Sequence, residues 1–144
     1  MKHDYNDIDM GFMFVSSGPE FTNSAILDRE TGKIYYTSES GDSDELPEDI
    51  EDNEKYIEIP HKNDLDLGKR LVFNFVTKII PEEFEIIKGF FSHPGAYSNY
   101  KNYLTRINKL KEWHKFEELE TQNALKQWCK ENNIEIQEEI PNPP

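Results

Sequence analysis

The first segment of the chain has the apolar spacing of a helix. Its apolar residues recur at steps of three and four, which places them on one helix face: Tyr5, Ile8, Phe12 and Val15. Asp4 stands where its carboxylate can cap the first turn, and Asp7 follows three residues later, as in a capping box. Residues 16–19, Ser-Ser-Gly-Pro, predict the end of this helix.

Two β-prone runs follow, and a third lies beyond an acidic stretch. Residues 25–28 and 33–37 are joined by a short turn in which Gly32 can adopt the positive φ that a tight hairpin needs. Residues 55–59 alternate between apolar and polar side chains and stop before a proline, which predicts a third strand. Between these runs, residues 39–54 are acidic and nearly free of apolar side chains, which is typical of a mobile loop.

The second half of the chain has helical periodicity in four successive segments. Asn63 can cap the first, and Pro81 ends it and begins the second. Residues 92–95 interrupt the pattern before a third helix, Asn132-Asn133 ends the fourth, and residues 134–136 are consistent with a short returning strand. The expected apolar faces are, in chain order, Leu65, Val72, Phe75, Val76 and Ile79; Phe84, Ile87 and Phe91; Ala96, Tyr97, Tyr100, Tyr103, Leu104 and Ile107; and Trp113, Phe116, Ala124 and Trp128.

These elements predict an α+β fold. A small antiparallel sheet, built from the 25–37 hairpin and the 55–59 strand, packs on a bundle of about four helices in the C-terminal half. A chain of 144 residues can bury enough surface for one core, so we expect residues 1–140 to form a single domain. Residues 141–144 are a proline-rich tail.

The net charge of -13 lies entirely in the first half of the chain. Residues 1–67 hold 5 basic and 18 acidic side chains, whereas residues 68–144 hold 11 of each. Such a field repels phosphate backbones and attracts basic proteins, so nucleic acid is disfavoured as a partner. One cysteine excludes a disulfide framework within the chain. Without a long apolar run or an apolar leader, we expect a cytoplasmic protein with no membrane partner.

The C-terminal half also carries a set of aromatic motifs. Its residues are Gly95-Ala96-Tyr97, Tyr100-Lys101, Leu104, Trp113, Phe116, Ala124, and Trp128 followed by Asn132-Asn133-Ile134-Glu135. Together with the Glu30-Thr31-Gly32 turn and the strand that ends at Pro60, these motifs resemble uncharacterised protein family 0158, a bacterial family, over residues 5–136. The resemblance implies a shared α+β fold and no established activity. Ser98-Asn99 stand where members of that family usually carry basic residues, which disfavours a basic-patch function.

A non-enzymatic, protein-binding or regulatory role fits the charge asymmetry best. The acidic residues would steer a basic protein partner and raise its association rate. Such a role needs no cofactor, and the chain has none of the glycine-rich phosphate-binding strings or nucleophile strings of common enzymes. The oligomeric state stays open. The partner-binding candidates are Asp42, Asp44, Glu45, Glu48, Asp49, Glu51 and Asp52.

A first alternative is binding of nucleic acid or a phosphate-bearing ligand through the basic 101–115 helices. The candidates are Lys101, Arg106, Lys109 and Lys111, with Tyr100 and Tyr103 as stacking groups. Helical spacing favours a core position for most of the aromatic residues of the second half, and Tyr100 or Tyr103 is the one expected to be exposed.

A second alternative is a hydrolase-like site at His114, Glu117 and Glu120. On a helix of about 100° per residue with Trp113 at zero, Glu117 falls near +40° and Glu120 near -20°, inside the apolar stripe. Unpaired buried carboxylates are costly, so three outcomes are open. The helix breaks between Phe116 and Ala124, or the glutamates pair with Arg106, Lys109 or Lys115, or they line a cleft with His114.

We expect no metal site. The four histidines, His3, His61, His93 and His114, lack the spacing of zinc motifs, and the acidic residues around Asp42 lack the order of a calcium-binding loop. Cys129 is expected to be a small packed residue rather than a reactive thiol.

Overall fold

The computed structural model describes residues 2–39 and 41–137 and has the predicted α+β fold. Four of its helices lie in the C-terminal half, as predicted. The helices are α1 (Tyr5–Ser16), α2 (Lys69–Ile79), α3 (Phe84–Phe90), α4 (Ala96–Arg106) and α5 (Leu110–Glu131). The strands are β1 (His3–Asp4), β2 (Asn23–Asp28), β3 (Ile34–Ser38), β4 (Tyr56–Glu58) and β5 (Ile136–Gln137).

The chain divides into two compact units. Unit 1 contains the residues up to Leu65 together with those from Ala124 onward, and unit 2 is Asp66–Asn123. The single domain over residues 1–140 stays a prediction, and the proline-rich tail at 141–144 lies outside the described residues.

Unit 1 contains the predicted antiparallel sheet, with the strand order β3-β2-β4. Ala25 of β2 faces Tyr36 of β3, and Ile26 faces Glu58 of β4. The hairpin turn has Gly32 at φ 80°, the positive value that the sequence predicts. The Asp28 carboxylate accepts hydrogen bonds inside this turn, from the backbone N–H groups of Glu30 at 2.8 Å and Thr31 at 3.2 Å.

Helix α1 packs against the central strand of this sheet. Asp4 caps the helix, accepting a hydrogen bond from the Asn6 N–H at 2.8 Å. The predicted apolar face is buried at Ile8, Phe12 and Val15. Gly11 lies on the same face, where an added methyl group would stand 2.6 Å from Ile59 Cδ1, so the close approach of helix and sheet requires a glycine or a shift of that side chain.

A short parallel pair joins the two ends of the described chain in unit 1. His3 of β1 faces Ile136 of β5, and the His3 N–H donates to the Glu135 carbonyl at 2.8 Å. The predicted returning strand at 134–136 is therefore present, shifted to Ile136–Gln137. His3 is buried by this pairing, and burial lowers the pKa of its imidazole.

The first long helix of unit 2 does not begin where the sequence predicts. Asn63 lies within a separate 3-10 helix, Lys62–Leu65, and α2 begins at Lys69 after Gly68 with no side-chain cap. Between them Asp66 has a positive φ of 56°, which redirects the chain and prevents one continuous helix. The prediction of a helix capped by Asn63 is therefore wrong, although Val72, Phe75 and Val76 form the buried face as expected.

The core of unit 2 is built from aromatic rings. Trp113 is 2% exposed and meets Phe75 edge-on at 5.4 Å and Tyr100 edge-on at 5.2 Å between centroids. Tyr100 is fully buried, so the expectation that it could be the exposed tyrosine is wrong, because its ring fills the space beside Trp113. Within the described residues, the Tyr100 hydroxyl and Trp113 Nε1 have no hydrogen-bond partner.

Helix α5 runs from Leu110 to Glu131 without interruption, so the predicted break between Phe116 and Ala124 is wrong. Its two ends bury different faces. Trp113 is buried in unit 2, whereas Leu125 and Cys129 of unit 1 are buried at about 120° and 160° around the helix from Trp113. A single apolar stripe, as assumed from the sequence, therefore does not describe this helix.

Left-handed asparagines end α4 and α5. Asn108 has φ 61° and Asn133 has φ 58°. In each case the next N–H turns back to a carbonyl five residues earlier: Lys109 to Leu104, and Ile134 to Cys129, both at 2.8 Å. Arg29 also satisfies a backbone carbonyl at the end of α5, since its Nη1 donates to the Asn132 carbonyl at 2.7 Å.

Candidate binding site on unit 1

Residues 39–54, here called the acidic segment, place all seven partner-binding candidates at the surface. Ser40 lies outside the described residues, and the rest of the segment is resolved as turns and extended chain between β3 and β4. The side chains that the sequence singles out are all exposed: Asp42, Asp44, Glu45, Glu48, Asp49, Glu51 and Asp52.

The first part of this segment covers the outer edge of β3. The Tyr36 N–H donates to the Asp44 carboxylate at 2.8 Å, and the Asp44 N–H donates to the Tyr36 carbonyl at the same distance. The Ser38 N–H donates to Ser43 Oγ at 3.0 Å. These bonds satisfy outward-facing backbone groups of an edge strand, which otherwise invites pairing with another chain. The mobility predicted for residues 39–54 stays a prediction.

The second part is attached through Asp49. Its carboxylate accepts a hydrogen bond from the Tyr56 hydroxyl at 2.8 Å and lies 3.3 Å from Lys55 Nζ. The Tyr56 hydrogen bond and the Lys55 ammonium hold the pKa of Asp49 below its usual value. The same contact with Asp49 raises the pKa of Lys55. Asp49 is thus a structural carboxylate, as is Asp52, which accepts from the Glu54 N–H at 3.0 Å.

The remaining four candidates of the acidic segment are exposed carboxylates. Within the part of the chain that the structure describes, Asp42, Glu45, Glu48 and Glu51 have no ion-pair partner. The structure thereby separates the seven candidates into three that hold the segment and four whose charge faces solvent unpaired.

A small cavity of about 80 Å³ lies elsewhere on unit 1 and is also acidic. Three carboxylate residues, Glu20, Glu58 and Asp64, line it together with Phe21 and His61, and none of its described lining residues is a lysine or an arginine. We call it the acidic cavity. It is too small for a drug-sized ligand but has room for the charged end of one side chain.

Phe21 is the most unusual residue of this cavity. The residue is 90% exposed, and its backbone has φ 71°, in the left-handed region that a residue of this size rarely adopts. Holding a bulky residue there costs about 1–3 kcal/mol, and exposed aromatic surface adds no compensating burial. Strain and exposure at the rim of a charged cavity together make Phe21 a candidate binding residue.

The loop that carries Phe21 is held from several sides. The Asn63 N–H donates to His61 Nδ1 at 3.0 Å, so His61 Nε2 carries the proton and donates to the Gly18 carbonyl at 2.9 Å. Thr22 Oγ1 donates to the Pro19 carbonyl at 2.6 Å. Both ring nitrogens of His61 are therefore occupied, and this histidine positions the loop rather than acting as a free base.

The basic candidates of the first alternative do not come together with exposed tyrosines. Lys101, Arg106 and Lys111 are exposed, while Lys109 is half-buried and 3.3 Å from a carboxylate oxygen of Glu112. Tyr103 is half-buried, and its hydroxyl donates to the Glu83 carboxylate. With Tyr100 fully buried, neither candidate tyrosine presents a free ring for stacking.

The hydrolase-like candidates share one unbroken helix. His114 is exposed, and Glu117 and Glu120 are half-buried, with no ion pair to Arg106, Lys109 or Lys115 among the described residues. The negative charge of Glu117 instead acts on Tyr97 and Tyr100, adding to the effect of burial in raising the pKa of each. Because the buried face of α5 changes along its length, both carboxylates remain partly in contact with water.

Metal-ligand sets and reactive thiols are the remaining groups of the described residues that could carry chemistry. Among residues 2–39 and 41–137, no three His, Cys, Asp or Glu side chains come together as a metal-ligand set. Cys129 is buried, and burial raises the pKa of its thiol to about 11, which makes it unreactive at neutral pH.

No helix within the described chain is both long and apolar enough to cross a membrane.

The residues of the acidic cavity are absent from the sequence-based candidates. Glu20 and Phe21 precede the sheet, and Glu58 and Asp64 come 38 and 44 residues after Glu20, so only the fold brings them together. The available signal is Phe21 itself, a large aromatic residue inside a stretch of Ser, Gly, Pro, Glu, Thr and Asn that is typical of a surface loop.

Comparison of the chain with protein-family models, with curated proteins and with solved structures gives no match. The resemblance to uncharacterised protein family 0158 therefore stays a prediction.

Proposed function

We propose that the protein is a non-enzymatic binding module that engages a basic protein partner through unit 1. The acidic cavity receives one arginine or lysine side chain of that partner. The acidic segment attracts the partner over longer distances. The cavity with its strained, exposed Phe21 is the observation that carries this proposal.

The chemistry of the cavity supports a cation as its occupant. Glu20 and Glu58 have no ion-pair partner within the described residues, and the Asp64 carboxylate accepts a hydrogen bond from the His61 N–H at 3.0 Å. A guanidinium or ammonium group in the cavity would neutralise these carboxylates. The exposed ring of Phe21 offers a cation–π surface to the same group.

The charge of unit 1 supports a protein partner with a basic surface. Unit 1 holds 7 basic and 21 acidic side chains, a formal charge of -14. Complementary potentials of this size raise association rates and suppress like-charged partners, nucleic acid among them. The proposal is for a cytoplasmic protein, in keeping with the composition.

A hexa-arginine peptide serves as the probe for this function. We would titrate it at about 50 mM salt against the wild-type chain and two matched pairs of variants. The cavity variant E20Q/E58Q is matched by E82Q/E85Q, and the segment variant E45Q/E48Q/E51Q is matched by E82Q/E85Q/E118Q. All the substituted glutamates are exposed, and the controls lie in unit 2.

We expect E20Q/E58Q to weaken binding about tenfold, because it removes two of the carboxylates that would contact the bound cation. The segment variant should weaken binding about threefold to tenfold, mainly through a slower association rate and only at low salt. Both controls should stay within about twofold of wild type. If the cavity variant and the segment variant lost no more affinity for hexa-arginine than their controls, the proposal would be contradicted, since binding would then follow net charge alone.

A further inference from the structure

Unit 2 contains a cavity of opposite chemical character. It is lined by Lys69 and Phe73 of α2, Phe84 and Lys88 of α3, and Phe91 and Ser92 directly after α3. Its volume of about 310 Å³ is at the lower end of the range of small-molecule sites. We call it the aromatic cavity.

Three phenylalanine rings form its apolar wall. The Phe73 centroid lies 5.6 Å from that of Phe84 and 5.6 Å from that of Phe91, with tilted planes in both cases. Phe91 meets the exposed Tyr97 at 5.2 Å and the fully buried Tyr100 at 6.0 Å between ring centroids. This wall is therefore attached to the packed core of unit 2 and is preformed rather than assembled by a ligand.

Two lysines are the charged groups that the described residues contribute to the lining. Lys69 Nζ lies 5.8 Å from the Phe73 centroid and 5.9 Å from the Phe91 centroid, which places a positive charge over the aromatic wall. Lys88 is exposed in the last turn of α3. Within the described chain neither lysine is ion-paired, and the lining contains no acidic residue that would neutralise them.

We propose that the aromatic cavity binds a small organic anion with an aromatic body. The body would pack on the rings of Phe73, Phe84 and Phe91, covering apolar surface that is otherwise half-exposed to water. Its carboxylate or phosphate would lie between the ammonium groups of Lys69 and Lys88. The volume limits the body to one or two fused rings.

Two features select against other occupants. A cation would meet two positive charges and no carboxylate. A purely apolar molecule would leave the lysines without a counter-charge and would gain nothing from them. The site differs from the acidic cavity in unit, in charge and in size, so it does not depend on the function proposed for unit 1.

The test uses 2-naphthoate as the probe, and NMR follows its binding to the isotope-labelled 144-residue chain. We expect shift changes at the backbone amides of Lys69, Phe73, Lys88 and Phe91. The neutral analogue 2-naphthalenemethanol should bind about tenfold more weakly, and a ringless anion, acetate, should produce no shifts at matched concentration. 2-Naphthyl phosphate distinguishes the two anion classes, because the tighter of the two anions identifies the natural headgroup.

Variants decide whether the lysines recognise the anion. K69Q/K88Q should weaken 2-naphthoate binding about tenfold, whereas K101Q/K111Q, which removes two exposed lysines elsewhere in unit 2, should stay within about twofold of wild type. The segment variant E45Q/E48Q/E51Q should bind 2-naphthoate as wild type does. Equal binding of the neutral analogue and the anion, or shifts that avoid the cavity amides, would overturn the proposal. So would equal losses in the two lysine variants.

Discussion

The two units of this protein differ in how they use charged and aromatic residues. Unit 1 has a formal charge of -14, and its most exposed aromatic residue, Phe21, stands at a carboxylate-lined cavity. Unit 2 holds 9 basic and 8 acidic side chains, a formal charge of +1, and directs most of its aromatic residues into a shared core. The net charge of -13 of the whole chain therefore describes unit 1 and not unit 2.

Replacing one phenylalanine of each unit with alanine should change the free energy of unfolding by very different amounts. Phe75 is fully buried in unit 2 against Trp113 and Phe116, so Phe75→Ala should lower the free energy of unfolding by about 3–5 kcal/mol. Phe21→Ala removes an exposed ring and should change it by less than about 0.5 kcal/mol. Chemical denaturation measures both values.

Phe21→Gly sharpens this prediction. Glycine accepts a positive φ without strain, so the variant should match or exceed wild-type stability while losing affinity for hexa-arginine. A loss of stability comparable to that of Phe75→Ala would show that the Phe21 ring is packed, and would remove it from the binding site.

The hairpin turn of unit 1 depends on one buried carboxylate. Burial opposes the ionisation of Asp28, but the N–H groups of Glu30 and Thr31 outweigh it and hold the pKa below its usual value. Asp28→Ala leaves two backbone donors unpaired and should cost about 1–3 kcal/mol. The wild-type contribution should be complete above the unfolded pKa of 3.8 and should be lost as pH falls through the lower folded value.

Acid titration of stability in the wild-type protein and the Asp28→Asn variant checks this dependence. The variant should have a shallower loss of stability below about pH 4. An identical slope in the two proteins would mean that Asp28 does not titrate differently in the folded and unfolded states.

Two tyrosines of α4 in unit 2 should respond in opposite directions to the same substitution. The Tyr100 hydroxyl is buried without a hydrogen-bond partner among the described residues, so Tyr100→Phe should raise stability by about 1 kcal/mol. The Tyr103 hydroxyl donates to Glu83, so Tyr103→Phe should lower stability by about 1 kcal/mol. Thermal or chemical unfolding compares them, and destabilisation by Tyr100→Phe would indicate an unrecognised partner.

The smallest effect is expected at His3. Burial lowers the pKa of its imidazole, so the unfolded chain binds a proton more readily near the ordinary value of 6.5. The contribution of His3 to stability should be complete above pH 6.5 and should decline as pH falls toward the lowered value. His3→Gln should flatten the dependence of stability on pH in this window, and an unchanged slope would contradict the assignment.

The sequence predicted the elements well where local spacing determines them. The α1 face, the hairpin with Gly32, and the break before α4 are all present, because each depends on residues close together in the chain. The predictions are wrong where contacts between residues distant in the chain determine the structure. Asp66 redirects the chain before α2, the packing beside Trp113 buries Tyr100, and α5 buries one face near Trp113 and another near Cys129.

The residues of the candidate site also fall into those that the sequence predicts and those that it does not. The seven exposed carboxylates of the acidic segment follow from composition, since a run of charge without apolar residues belongs at a surface. The structural roles of Asp44 and Asp49 do not follow from composition, because their partners Tyr36 and Tyr56 lie on strands. Neither cavity could be predicted, since each is assembled from residues on separate elements.

We propose that the two units carry separate sites of opposite charge. One labelled sample of the wild-type protein, titrated by NMR with hexa-arginine and then with 2-naphthoate, tests it most directly. Hexa-arginine should shift amides around Phe21, Glu58 and Asp64, and 2-naphthoate should shift amides around Phe73 and Lys88, with neither probe displacing the other. Shifts from both probes on the same residues, or hexa-arginine shifts spread equally over the exposed glutamates of both units, would contradict the account.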